Sequence, residues 1–290
     1  GRFTNIETMP IEEIRADCTQ EQRELSSMFK IGKTDPVFFA ENILDIKLHD
    51  GQKVWCWMTT KQQTDRAFET GLKLELWKTR EQFDAILNDP EMDFRKNILV
   101  PSNRWGKTLV TSGVKHIWYN FYKIGVRGSA SQVAQVRCGT LNISPHSNQC
   151  QAGYDYILDI LQSRFIYTIG EESFKNRCKI EWFYLSDNAQ KRQILFKNGT
   201  SYRAIPTGED QAASLAGTSY LYISYDEAAQ SLHLKAELPA KIMSRLIDYG
   251  GPMDLVSTPE VDKPSHQYFH HIAKLGCNLP LLFGKRSLLQ

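Results

Sequence analysis

The chain has little of what secreted, membrane-spanning or strongly polycationic proteins carry. Its six cysteines, Cys18, Cys56, Cys138, Cys150, Cys178 and Cys277, stand far apart and form no Cys-x-x-Cys pair. Neither a zinc site nor a disulfide framework is suggested, and free thiols fit a reducing compartment. No run of about 18 apolar residues occurs, and no basic segment leads into an apolar one at the N-terminus. Both a membrane span and a secretory leader are therefore disfavoured. Net charge is also scarce: 35 Lys plus Arg against 33 Asp plus Glu leave a formal +2. Nothing pulls the whole molecule toward a polyanion, so any contact with nucleic acid has to be local. Repeats and low-complexity tracts are missing too. What remains is the expectation of a soluble, intracellular protein whose 290 residues suffice for one large α/β domain with a smaller attachment. The chain runs from Gly1-Arg2 to Leu289-Gln290, as expected of a fragment.

From Asn5 to about Ile46, apolar residues at helical spacing (Ile11, Ile14, Leu25, Phe29, then Phe38, Phe39, Ile43, Leu44) suggest a small helical preamble. A turn at His49-Asp50-Gly51-Gln52 follows, then Val54 to Met58 reads as a strand and Gln62 to Glu69 as a helix. Further strands are expected at Asn97 to Val100, Val133 to Ile143, Gln193 to Lys197, Ser201 to Ile205, Tyr220 to Tyr225 and Met253 to Val256. Asn198-Gly199-Thr200 marks a hairpin between the third and fourth of these. Helices are expected over Lys107 to Tyr122 (with Gly125 as its stop), Gln149 to Phe165, Glu237 to Ile247 and His266 to Lys274. Strands alternating with helices argue for an α/β fold around a largely parallel sheet.

The segment Asn97 to Thr108 carries the strongest chemistry. An apolar strand turns sharply through Pro101-Ser102-Asn103-Arg104-Trp105-Gly106 and opens into an amphipathic helix at Lys107-Thr108. Unpaired backbone N–H groups at a helix N-terminus, at the positive end of the helix dipole, bind phosphate. Lys107 would reach the β and γ oxygens of ATP and the Thr108 hydroxyl would ligate Mg²⁺. A strict G-x-x-x-x-G-K-[ST] pattern needs glycine where this chain has Pro101, and the strand-turn-helix context takes its place.

A second strand, Tyr220 to Tyr225, ends in Asp226-Glu227, at the edge where a parallel sheet gathers its ligands. Asp226 would hold Mg²⁺, and Glu227 would orient and deprotonate an attacking water. Adjacent carboxylates at a strand end also occur as helix N-caps. Met253 to Val256 leads to Ser257-Thr258-Pro259. In P-loop ATPases with a catalytic glutamate this strand lies between the other two, which would put Ser257 and Thr258 beside the γ-phosphate. A strand-ending turn is the plainer reading of that tripeptide. His266 and His270 stand one turn apart on an expected helix, but no acidic or cysteine partner is placed, so a solvated face is expected there.

These stretches together resemble the large terminase subunits of tailed bacteriophages. The resemblance rests on Asn103-Arg104-Trp105-Gly106-Lys107-Thr108, on Leu215-Ala216-Gly217 ahead of Asp226-Glu227-Ala228-Ala229, and on Ser257-Thr258-Pro259. Asp35-Pro36-Val37-Phe38-Phe39, Asn142-Ile143-Ser144-Pro145 and the Asn198-Gly199 hairpin add to it, so that most of residues 35 to 275 is covered. It implies a P-loop NTPase fold of RecA-like (ASCE) type, with a helical subdomain over residues 1–60, an ATPase core over 61–275 and a connector from 276 to 290. Family members continue into a nuclease domain, and no nuclease chemistry is expected of this chain. The implied activity is Mg²⁺-dependent ATP hydrolysis that drives double-stranded DNA into a capsid. The implied partners are the capsid portal, the small terminase subunit and further copies of the chain in a ring, in the cytoplasm of an infected bacterium.

Two positions depart from the family. Asn103 stands where an arginine usually lies four residues before the lysine, and Ala216 replaces the arginine of a Leu-Arg-Gly triplet. The charge-stabilising arginine is therefore open among Arg104 in cis and Arg203 or Arg245 from a neighbouring subunit. Cofactor contacts are expected from Ser102, Asn103, Arg104, Trp105, Gly106, Lys107 and Thr108. The segment Trp77 to Phe83 is the expected adenine side, with Arg80 or Gln82 as edge contact. DNA contacts are not legible; Lys191-Arg192 and Lys123 with Arg127 are candidates. The alternatives are a superfamily 2 helicase-like translocase and a nucleotide-binding assembly module that does not hydrolyse.

Overall fold

A computed structural model describes residues 20–89, 96–101, 104–167, 184–188, 191–196, 198–207, 219–231, 234–237, 242–258 and 267–277. Ile11, Ile14, Ser102, Asn103, the Leu215-Ala216-Gly217 triplet, His266 and the stretch after Cys277 lie outside them.

Among the described residues the longer helices ahead of the sheet are α1 (Gln20–Thr34), α2 (Asp50–Thr60), α3 (Thr64–Lys73) and α4 (Arg80–Asn88). Between α1 and α2, Asp35 begins a short helical segment. Its carboxylate accepts from the N–H groups of Val37 and Phe38, both at 3.0 Å, and Pro36 occupies the first helical position, where a missing N–H costs nothing. The same buried carboxylate accepts the Trp57 indole N–H at 2.9 Å and pairs with Arg66 at 2.5 Å. The Asp35-Pro36 motif thus ties α2 and α3 to the turn after α1.

The expected strand at Val54 to Met58 is instead the middle of α2. His49 and Gln52 form a reciprocal cap, in which each side chain accepts the other residue's backbone N–H, and this starts a helix. All five residues from Val54 to Met58 are buried, so the run has no polar face and its period does not separate strand from helix. The expected strand from Val133 to Ile143 is shorter for a similar reason. Ser129 and Gln132 cap a helix, α6 (Ala130–Gln135), and the strand begins only at Cys138. Of the helix expected over Glu237 to Ile247, the described residues show a helical end at Glu237, a helical Ile242 and a 3-10 turn at Met243–Leu246, with 238–241 outside the described residues.

The sheet consists of β1 (Lys96–Leu99), β2 (Cys138–Ser144), β3 (Tyr184–Asn188), β4 (Gln193–Phe196), β5 (Thr200–Pro206), β6 (Tyr220–Asp226) and β7 (Met253–Val256). Its order is β1-β7-β6-β2-β5-β4-β3. The first five strands pair in parallel, and the β5-β4-β3 edge is antiparallel. α5 (Lys115–Tyr122) continues a π-helical turn at Leu109–Val114 and packs on β2, β5 and β6, while α7 (Ser147–Tyr167) packs on β2 and β5. α8 (Gln267–Cys277) approaches the turn after β6.

Two apolar clusters cover the sheet. Val256 and Tyr222 join the helices α2 to α5 in one, whereas Met253, Leu255, Ile223 and Tyr225 join Leu246 and Phe269 in the other. Alternate residues of β7 belonging to different clusters is what a sheet buried on both faces requires. Cys56, Cys138 and Cys150 are free and buried, and burial pushes the Cys56 thiol up to about 12, which leaves it unreactive.

α5 ends at Tyr122, and Lys123 rather than Gly125 provides the left-handed C-cap (φ 49°). The Lys123 ammonium is buried and donates to the carbonyls of Val133, Ala134 and Val136 at 2.8, 3.0 and 3.1 Å. It caps the C-terminus of α6, where a cation is favoured, and is therefore not the exposed DNA contact that the sequence suggests. Arg192 is engaged with Gln151 at 3.2 Å and with Ser147.

Candidate nucleotide site

The parallel strands β1, β7 and β6 deliver three short segments to one edge of the sheet. Register pairs Leu99 with Val256 and Val256 with Asp226, so the three strands end level. The Ser257 N–H extends the pairing by donating to the Leu99 carbonyl at 3.2 Å. β7 lies between the other two, as the sequence reading required.

The loop after β1 turns through left-handed backbone at Arg104 (φ 67°) and Gly106 (φ 78°). The left-handed backbone favours glycine at 106, and a Cβ there would fall 2.5 Å from the Gln52 amide nitrogen and displace that side chain. Gln52 donates to the carbonyls of Trp105 and Gly106 at 3.1 and 3.3 Å, and the His49 Nε2 lies 3.0 Å from the Trp105 carbonyl. Because the His49 Nδ1 already accepts the Gln52 N–H, its Nε2 carries the proton and donates. The N-terminus of α2 thereby holds the loop from outside. Arg104 itself is exposed.

Lys107 and Glu227 meet directly as an ion pair with side chains 18% and 17% exposed, and the Lys107 ammonium also donates to the Thr258 hydroxyl at 2.8 Å. Glu227 has left-handed backbone (φ 49°), which turns its carboxylate across the end of β7. There it accepts from the Ser257 hydroxyl at 3.2 Å and sits 3.5 Å from the Thr258 N–H. Non-glycine residues in this region carry a cost of about 1–3 kcal/mol, which is common where function fixes a side chain. The Thr108 hydroxyl is 3.4 Å from one Asp226 oxygen, and the other accepts the Glu227 N–H at 3.0 Å. Burial raises the Asp226 carboxyl above its ordinary value, with Lys107 acting in the opposite direction and Glu227 adding to the rise. A carboxylate desolvated beside a hydroxyl is suited to a divalent cation, which would offset the burial cost.

No family model and no curated protein matches the chain. Solved structures do. An arginine-to-alanine mutant of the Thermus phage P74-26 large terminase ATPase domain superposes with a TM-score of 0.47 at 14% identity, over 80% of this chain and 72% of that one. The unmutated domain gives 0.46 at 13% over the same shares. The HK97 bacteriophage large terminase gives 0.44 at 12%, over 70% of this chain and 37% of that one. These neighbours are phage large terminases, and the likeness is one of fold.

The structure brings together Lys107, Thr108, Asp226, Glu227, Ser257 and Thr258, with Trp105 and Gly106 on the loop. It gives Arg80 and Gln82 local partners instead: Arg80 binds Asp65 and Asp84 at 2.7 and 2.9 Å, and Gln82 accepts the Lys78 N–H at 2.8 Å. Arg203 is half-buried within β5, and Arg245 lies on the 3-10 turn with its Nε buried and without a hydrogen-bond partner. Sequence reasoning missed His49 and Gln52, although a polar residue followed three positions later by Gln is a capping signature. It also passed over Lys115 and Asp254. The available signal was a charged residue inside an otherwise apolar strand and another beside the apolar stripe Val110, Val114, Trp118.

Proposed function

We propose that this chain is a Mg²⁺-dependent ATPase that drives double-stranded viral DNA into a capsid, the ATPase part of a phage large terminase. The observation that carries the hydrolytic reading is the meeting of Lys107, Glu227 and Thr258 at one sheet edge, with Thr108 and Asp226 alongside. The DNA-packaging reading rests on the motif resemblance along residues 35 to 275.

The loop N–H groups and Lys107 bind the ATP phosphates. Thr108 and Asp226 would hold Mg²⁺, which supplies charge neutralisation on the phosphate oxygens when bound. In the free protein the Lys107 ammonium is engaged by Glu227, so phosphate oxygens compete for the same cation. Their arrival releases the Glu227 carboxylate, which orients a water and takes its proton. Ser257 and Thr258 touch Glu227 from β7, so their hydroxyls sense whether it is turned toward Lys107 or toward the γ-phosphate. An arginine at the transferred phosphoryl is worth about 10³–10⁵ in rate. Arg104 is the group in cis, and Arg203 and Arg245 are the groups a neighbouring copy in a ring would offer.

Among the described residues no helix is long and apolar enough to cross a membrane. The host cytoplasm, the portal and the small terminase subunit belong to the same reading. Phosphate release from Mg-ATP, measured with and without double-stranded DNA, tests it. Turnover that rises with DNA and disappears in Glu227→Gln is expected. No release from the parent under either condition overturns it.

A further inference from the structure

The most deeply buried charges in the described protein are not at the phosphate loop. Lys115 and Asp254, both 0% exposed, form an ion pair at 2.5 Å in the centre of the molecule. One Asp254 oxygen accepts the Asn97 amide at 3.0 Å. The other accepts Lys115 and the Trp55 indole at 3.3 Å, and lies 2.9 Å from the Tyr222 hydroxyl. Lys115 in turn donates to Thr59 at 3.0 Å, and its ammonium stands 4.7 Å from the Tyr222 ring centre.

These groups come from α2, β1, α5, β6 and β7, and each of those elements leads to one piece of the candidate site. α2 begins with the His49–Gln52 hold on the loop. β1 runs into the loop, and α5 continues the helix that leaves it. β6 ends at Asp226 and runs into Glu227, and β7 runs into Ser257-Thr258. Asp254 is paired in register with Asn97 and with Ser224, two residues short of the level edge. Two strand residues span about 7 Å, so the carboxylate sits just beneath the site without reaching it. A buried ion pair is weak evidence for stability, because apolar groups of similar volume commonly replace one at no loss.

We propose that the Asp254 carboxylate, neutralised by Lys115, is a positioning group for phosphoryl transfer that sets the phosphate loop, the acidic pair and the β7 hydroxyls relative to one another. It touches no reacting atom and acts through the five elements it joins. The proposal rests on the ATPase reading.

The test compares the parent with Asp254→Asn, with the double variant Lys115→Met/Asp254→Asn and with Tyr222→Phe, reading Tm, Mg-ATPγS affinity and kcat. Asp254→Asn alone leaves Lys115 unpaired and is expected to lower Tm. The double variant removes both charges at similar volume and is expected to regain the parental Tm. Its kcat stays down by about 10- to 100-fold, the scale of an ångström-level misplacement of reacting groups, while nucleotide affinity changes less than about 3-fold. Tyr222→Phe removes the hydroxyl that ties β6 to Asp254 and to the Thr111 carbonyl on the helix leaving the loop, and is expected to lower kcat several-fold at similar affinity. A double variant whose kcat recovers with its Tm overturns the proposal and leaves the pair as core packing. If the double variant does not fold, parental kcat in Tyr222→Phe overturns it. A parent that binds Mg-ATPγS but shows no turnover marks failure of the ATPase reading, and this inference falls with it.

Discussion

Glu227→Gln separates two roles that the geometry assigns to one carboxylate. In the free protein Glu227 engages the Lys107 ammonium that the proposed function gives to the ATP phosphates, while both side chains remain under one fifth exposed. A charge-assisted hydrogen bond of this kind nets about 1.5–3 kcal/mol, and each 1.4 kcal/mol is tenfold in affinity. Glutamine keeps the shape and can still accept from Ser257, but it no longer competes as an anion for Lys107. Thr258 and the Asp226 charge retain part of the hold on the lysine, so the gain belongs at the lower end. ATP should bind about 10-fold more tightly to Glu227→Gln than to the parent, while turnover falls by about 10²- to 10⁴-fold through loss of the base. Titration with a fluorescent ATP analogue and a phosphate-release assay on the same preparations read the two quantities. Affinity that is unchanged or weaker in the variant would refute the competition, even if hydrolysis is lost.

Asp226→Asn should raise the Tm of the nucleotide-free protein at pH 7. A carboxyl whose pKa is higher in the folded state makes folding take up protons, so stability falls as pH rises from the unfolded pKa through the folded one, and the full cost is present above the folded pKa. The same variant should lose the Mg-ATP-dependent rise in Tm, and a retained rise would exclude Asp226 from the cation site. Gln52→Glu keeps the acceptor for the His49 N–H but turns two donors into acceptors facing the Trp105 and Gly106 carbonyls. ATP affinity should drop by roughly 10-fold or more, since buried polar groups left unpaired cost about 1–3 kcal/mol each; parental affinity would mean that the α2 contact does not set the loop. For the arginine, specific ATPase activity measured across a wide protein concentration range should rise with concentration, with Arg203→Ala or Arg245→Ala flattening the curve. Activity per molecule that is flat and abolished only by Arg104→Ala would place the finger in cis.

The strand-turn-helix around Lys107 and the strand ending at Asp226 were legible because each is a local pattern in which apolar run, break and polar terminus are adjacent in sequence. The position of β7 between β1 and β6 was expected only by analogy with P-loop ATPases that carry a catalytic glutamate, since Ser257-Thr258-Pro259 by itself reads as a strand-ending turn. α2 was misread because Val54 to Met58 are buried on every side, which erases periodicity. Lys123 was misread because its burial depends on a helix terminus that an uncapped reading of Val133 to Ile143 dissolves into strand. The Lys115–Asp254 centre was invisible for a further reason. Its partners lie 139 residues apart, and nothing in the immediate neighbourhood of either residue names the other.

The distance along the chain between the parts of that centre bears on synthesis as well as on folding. Trp55 and Asp254 are separated by 199 residues, which a ribosome adds in about 10–40 s at about 5–20 residues per second. Throughout that interval the phosphate loop, Lys107 and the acidic pair emerge one after another with no β7 to lie between them. A nascent chain therefore has Lys107 without the β7 hydroxyl that meets it in the finished fold. Competence arrives in one step, when Asp254 emerges and the last parallel strand slots into the middle of the sheet. Messages truncated before that codon should yield polypeptides in which β1 and β6 have no strand between them, so that Lys107 and Glu227 are not held against Ser257 and Thr258.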